Sequence, residues 1–210
     1  MTARAVLWDF GGVILESPFD AFARYERENG LPADFLRGLN ARDHHTNAWA
    51  KLERNEVSMD DFCLLFEAEA AAAGHPIDAR GVLSLLSGAI RPEMVTAVQR
   101  CAERIPTGMI TNNFVGFADA PPRHDVAEVL ALFHVVIESS KVGLRKPDPR
   151  IYELACAELG VEPDQTVFLD DLGVNLKPAR ALGMTTIKVT DPAVAIRELE
   201  AAVGFGLGAS

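Results

Sequence analysis

Short apolar runs recur along the chain, and each ends on polar residues: "RAVLWD" from Arg4, "TGMITNN" from Thr107, "HVVIESS" from His134, "QTVFLDD" from Gln165 and "MTTIKVTD" from Met184. They are rich in β-branched residues. Continuous apolar character marks strands buried on both faces, as in parallel sheets covered by helices. Helical spacing fills the intervals, over residues 92–104, 123–132, 149–159 and 176–182. Pro92 and Pro149 stand where a first helical turn tolerates proline, because the missing amide has no partner there anyway. The alternation predicts an α/β fold: a doubly wound, Rossmann-like parallel sheet of about five strands.

One interval breaks the rhythm. Residues 16–91 contain no strand pattern and read as helices: "FDAFARYEREN", "ADFLRGLN", "AWAKLERNE" and "SMDDFCLLFEAEAAAAG". The last opens on Ser58 followed by Asp61, a capping-box pattern, and stops at Gly74 with Pro76 beyond. The expected organisation is a Rossmann-like core of residues 1–15 and 92–210, with a helical cap of residues 16–91 inserted after the first strand. The tail "GFGLGAS" is expected to fray. The sequence contains no internal repeat and no low-complexity tract.

Composition narrows the field of partners. The chain has 210 residues, 49% hydrophobic and 24% charged, with a net charge of −10. Nucleic acids and anionic membranes need a positive surface, so neither is expected as a partner. A small anionic substrate stays open, because a local site can oppose the global sign. The three cysteines, Cys63, Cys101 and Cys156, lie far apart, without metal-like pairing or the density of a disulfide framework. The apolar run at the N-terminus is too short for a signal peptide and no stretch could span a bilayer, so a cytoplasmic location is expected.

In open α/β sheets, ligands bind outside the carboxyl ends of the strands. Those ends carry Asp9, Thr111-Asn112-Asn113, Ser139-Ser140 and Asp170-Asp171. Each alone reads as a turn former or helix cap. If the strands are adjacent and parallel, the groups converge on one rim. Three carboxylates meeting there would repel one another unless a cation sat among them, and hard oxygen ligands point to Mg²⁺.

The stretches "WDFGGVIL", "MITNN", "LRKPDPRIY" and "VFLDDLGVNLKPARALGM" resemble, in order and spacing, the four motifs of the haloacid dehalogenase superfamily. In look the chain is similar to the N-terminal phosphatase domain of soluble epoxide hydrolases and to related domains fused to acyl-CoA dehydrogenases. The resemblance implies a Mg²⁺-dependent phosphatase acting on a small phosphorylated metabolite through an aspartyl-phosphate intermediate. It makes Asp9, Thr111 and Lys146 catalytic, with Asp9 the nucleophile and Lys146 neutralising charge on it and on the substrate, and it gives Thr111, Asn112, Asn113 and Lys146 the binding of the phosphoryl group. It gives Asp9, the Gly11 carbonyl, Asp171 and Asp170 the metal. Gly12 would let the chain turn sharply around a phosphate.

Gly11 departs from the pattern. Most phosphatases of the superfamily carry a second aspartate there, whose side chain serves as general acid and base. Three readings follow: a phosphatase with a substitute acid or a good leaving group; a hydrolytic 2-haloacid dehalogenase, whose halide leaves without a proton; or a binding or regulatory module of low activity. In the inserted segment, "ARDHHTNAWAKLERN" brings Arg42, His44, His45 and Lys51 close together. A solvated face is the expectation, the alternative being a histidine that faces the site and replaces the missing acid. His75, His124 and His134 carry no such case, and Trp49 is expected in the core of the inserted helices.

Overall fold

The computed structural model describes residues 2–86, 88–113 and 124–208. The apolar runs form five strands: β1 (Ala5–Trp8), β2 (Thr107–Thr111), β3 (Val135–Glu138), β4 (Thr166–Asp170) and β5 (Thr185–Lys188). All pair in parallel, in the order β3-β2-β1-β4-β5. β1 is central, so the ends of β1, β2 and β4 lie side by side on one rim.

Both faces of the sheet are covered. Val6, Trp8, Met109, Val167 and Leu169 pack with Met94, Val98 and Cys101 of α6 (Pro92–Ala102) and with Ala195, Leu199 and Val203 of α11 (Pro192–Val203). Val129 of α7 (His124–Leu130) joins the same cluster. The intervening residues Leu7, Ile110 and Phe168 face α9 (Pro149–Leu159) and α10 (Gly173–Ala181). Successive strand residues thus serve opposite layers, which is why the runs are apolar throughout. A short helix, α8 (Ser139–Val142), follows β3 directly and ends at Gly143 in the left-handed conformation.

Between β1 and α6 lie α1 (Phe19–Glu28), α2 (Phe35–Ala41), α3 (Ala48–Glu53), α4 (Met59–Ala72) and α5 (Ala79–Ser84). They close a separate apolar cluster around Phe22, Leu36, Trp49, Leu52, Phe62 and Phe66. Ser58 caps α4 as its spacing with Asp61 predicts: its Oγ accepts from the Asp61 amide and donates to the Asp61 carboxylate. The chain enters and leaves these helices through a narrow joint. Leu15 bridges Ile90, the Glu16 amide donates to the Ala89 carbonyl and the Arg91 amide to the Ile14 carbonyl.

The pattern reading missed α5, α8 and α11, and started α10 three residues late. The tail corrects it further: Leu207 is buried, and the amides of Leu207 and Gly208 both donate to Glu200 Oε1. A carboxylate on α11 therefore secures a segment that looked free. The first residue of the helix expected over 123–132 lies outside the described residues. Among the described residues, no helix is long and apolar enough to cross a membrane.

Candidate functional site

Three strand ends and one loop build the site. Asp9 follows β1 and its amide donates to the Leu169 carbonyl at 2.9 Å, which fixes it against β4. Its side chain lies almost out of solvent. Lys146 Nζ stands 2.6 Å from Asp9 Oδ1 and 2.8 Å from Asp170 Oδ2, fully buried between them. Asp170, the last residue of β4, also accepts from the Leu172 amide at 2.8 Å and from Asn175 Nδ2 at 3.1 and 3.0 Å. Both its oxygens are engaged by protein donors. Asp171, half-buried, turns its carboxylate onto the loop after β1 instead. A Cβ at Gly12 would land on that carboxylate, and Gly12 adopts φ +78°. Only glycine gives both the backbone and the space.

One carboxylate oxygen from each of Asp9, Asp170 and Asp171 lies within 4.8 Å of the others. Burial pushes the Asp9 carboxyl up to about 8, against the attraction of Lys146 and with the repulsion of Asp170 and Asp171 added. Burial and the Asp170 charge raise Asp171 to about 6. Burial alone would lower Lys146, but Asp170 and Asp9 outweigh it and hold the ammonium above its ordinary value. Three carboxylates thus share one ammonium, and each crowds the ionisation of the others. A divalent cation with oxygen ligands matches that donor set in charge and hardness.

The structure places the sequence-predicted residues as follows. Thr111 ends β2, half-buried, beside β1. The side chain of Asn112 grips the backbone of Lys146: its Nδ2 donates to the Lys146 carbonyl at 3.0 Å, and its Oδ1 accepts from the Lys146 amide at 2.9 Å. Asn113 donates from Nδ2 to Glu138 Oε1, and its Oδ1 accepts from Ser140 Oγ at 2.8 Å. Its amide and carbonyl both engage Ser139 Oγ at 3.0 Å. The two asparagine side chains therefore order the loops around Lys146 and β3, rather than pointing free groups at a ligand. Gly11 is exposed, outside the left-handed region, and a Cβ there meets nothing within 4 Å.

The histidine pair lies on the inserted helices' side. Their rings are 4.0 Å apart, His44 half-buried and His45 exposed. The His44 carbonyl accepts from Arg145 Nη1. Trp49 packs edge-on against Phe62 and Phe66, inside the apolar cluster.

Three groups around the site escaped sequence reasoning. Asn175 holds Asp170, Arg91 Nη1 donates to the Gly12 carbonyl at 2.9 Å, and Arg145 Nε reaches Glu53 at 2.6 Å. Asn175 stands inside the fourth motif, so its place was visible. Arg91 lies 79 residues from Gly12 and Arg145 92 from Glu53, separations that periodicity cannot see.

A family model described as haloacid dehalogenase-like hydrolase matches residues 3–183. Acyl-CoA dehydrogenase family member 10 of Mus musculus is 34% identical, over 97% of this chain and 19% of its own length. Bifunctional epoxide hydrolase 2 of Mus musculus is 32% identical, over 97% of this chain and 39% of its own. The chain thus spans about a fifth to two fifths of these relatives. Validoxylamine A 7'-phosphate phosphatase of Streptomyces hygroscopicus subsp. limoneus is 27% identical, over 89% of this chain and 85% of its own. Among solved structures, an aspartate-to-alanine variant of a family enzyme from Bacteroides thetaiotaomicron, in complex with magnesium and inorganic phosphate, superposes with TM-score 0.61 at 18% identity. It covers 89% of this chain and 93% of that one. A dehalogenase with an intermediate complex superposes with TM-score 0.64 at 20% identity, covering 92% and 90%.

Proposed function

The chain belongs to the haloacid dehalogenase-like hydrolases, and within that family we propose that it hydrolyses the phosphomonoester of a small metabolite, with Asp9 as the nucleophile. The observation that carries this reading is the nest of Asp9, Asp170 and Asp171 around Lys146, three carboxylates to one ammonium. A dehalogenase has no use for that surplus, whereas a divalent cation and a phosphoryl group together answer it. The phosphate phosphatase matched over most of its length supports the same class.

Asp9, the Gly11 carbonyl and Asp171, with Asp170 behind them, would hold Mg²⁺. Bound there, the ion supplies Lewis-acid stabilisation of charge on phosphoryl oxygens. An Asp9 carboxylate oxygen attacks phosphorus while the bond to the leaving oxygen breaks. Lys146 neutralises Asp9 in the resting site and a phosphoryl oxygen in the reacting one. Thr111 and the amide of Asn112 would hold a second phosphoryl oxygen. Water then attacks the aspartyl phosphate, releasing phosphate and restoring Asp9. Asn112 and Asn175 act on Lys146 and Asp170, and so position rather than react. A poor leaving oxygen must take a proton, and Gly11 has none to give. Solvent or a histidine of the inserted helices would supply it, and an activated leaving group would depart without one.

Asp9→Asn tests the reading. The amide is a poor nucleophile of nearly the same shape, so hydrolysis of a panel of phosphomonoesters with Mg²⁺ should fall by at least about 10³-fold with melting temperature kept. Retained turnover would end the covalent-aspartate mechanism. Chloride release from 2-haloacids by the wild type, without phosphate release, would replace the reading by dehalogenation.

A further inference from the structure

Arg145 stands one residue before Lys146, and Glu53 closes α3 in the inserted helices. Arg145 Nε donates to Glu53 Oε2 at 2.6 Å and its Nη1 to the His44 carbonyl at 2.5 Å. Both side chains are largely buried, 16% and 14% exposed. One guanidinium therefore holds both α3 and the turn before it to the loop that carries Lys146. Among the described residues this is the salt bridge that joins the inserted helices to the sheet and its layers. The helices keep their apolar cluster to themselves, apart from the clusters on either face of the sheet. Their covalent attachment is the narrow joint at Leu15 and Ile90. The fork adds two bonds at a distance from that joint, and its planar geometry fixes how the two parts meet. A buried ion pair returns little more than its desolvation costs, so its value lies in register more than in stability.

We propose that Arg145 and Glu53 form a strut that sets how closely the inserted helices sit over Lys146, and thereby how bulky a leaving group the site admits. Both are positioning residues, since neither touches the reacting atoms. The substrate half of this inference rests on the phosphatase reading. The strut itself does not.

The experiment compares wild type with Arg145→Met, Glu53→Gln, the double variant and the conservative Arg145→Lys. Amide hydrogen exchange reads the strut: residues 46–53 should exchange at least tenfold faster in Arg145→Met and Glu53→Gln, with the α4 amides unchanged. The ratio of kcat/KM for naphthyl phosphate to that for ethyl phosphate reads admission. It should rise about tenfold in each single variant, no further in the double, and less in Arg145→Lys. If the wild type turns over neither ester, the phosphatase reading has failed. The exchange arm then still decides the strut, and the part in specificity falls with that reading. If Arg145→Met does not fold, Glu53→Gln changes one atom and carries the test alone. Unchanged exchange at residues 46–53 overturns the strut. Faster exchange with an unchanged ester ratio, or additive single effects, overturns its part in specificity.

Discussion

Gly11 and Gly12, neighbours in one loop, meet opposite constraints. Gly12 holds φ +78° with the Asp171 carboxylate where its Cβ would be, while Gly11 has ordinary φ and open space. Gly12→Ala should therefore lose about 1–3 kcal/mol of stability and weaken Mg²⁺ binding, as denaturant melts and calorimetry would register. Equal stability and affinity would mean that Asp171 relaxes freely. Gly11→Asp should fold with little loss, because neither strain nor collision opposes it. If position 11 lacks only the proton carrier, this variant should speed hydrolysis of an alkyl phosphate more than of p-nitrophenyl phosphate, whose leaving group needs no proton. The gain will fall short of the full general-acid effect unless the new carboxyl lands in productive geometry. An unchanged ratio in a stable variant would mean that another group already transfers the proton, with His44 and His45 the first to test.

At the scale of elements, what holds the site is a set of links between strand ends, and these were the least legible in the sequence. Burial raises the Glu53 carboxyl above its ordinary value near 4.5, with Arg145, Lys146 and Arg54 pulling the other way. A carboxyl raised on folding binds its proton more tightly in the native state than in the unfolded one. Stability from this group is thus present below the ordinary value and is lost as pH rises through the native value. Glu53→Gln should accordingly flatten the fall of melting temperature with pH just above 4.5, and an unaltered slope would remove burial as the governing cause. Asn175→Ala leaves buried Asp170 short of a donor to both oxygens, so a loss of about 1–3 kcal/mol is expected in denaturant unfolding. The five strands were legible because burial on two faces leaves an unbroken apolar run. The acid cluster was legible because strand ends in a parallel sheet share one rim. α10 was read three residues late, since Gly173, Val174 and Asn175 carry no apolar period. The side-chain bonds of Asn112 and Asn113 to the Lys146 backbone, Glu138 and Ser140 were not legible, because a turn and a binding loop share a composition.

For the whole molecule the question is how a chain of net charge −10 would hold an anionic substrate. The positive groups gather where the negative ones are most buried: Lys146 between two aspartates, Arg91 under Gly12, and Arg145 between the inserted helices and the sheet. A divalent cation held among the three carboxylates would add positive charge where a phosphoryl group is to bind. Because the nest draws on β1 and β4 together, cation binding should stabilise the entire fold rather than one loop. At a roughly hundredfold excess over its dissociation constant, Mg²⁺ should add about 2.7 kcal/mol, which in a chain of this size is a rise in melting temperature of about 5–10 °C. Asp171→Ala removes the one carboxylate of the three that is not already bonded to Lys146, so it should abolish most of that rise while costing the apo protein little. Inorganic phosphate should then raise the melting temperature of the wild type only when Mg²⁺ is present. Stabilisation by phosphate in EDTA, equal in wild type and Asp171→Ala, would show that the basic groups suffice and that the acid nest serves another end.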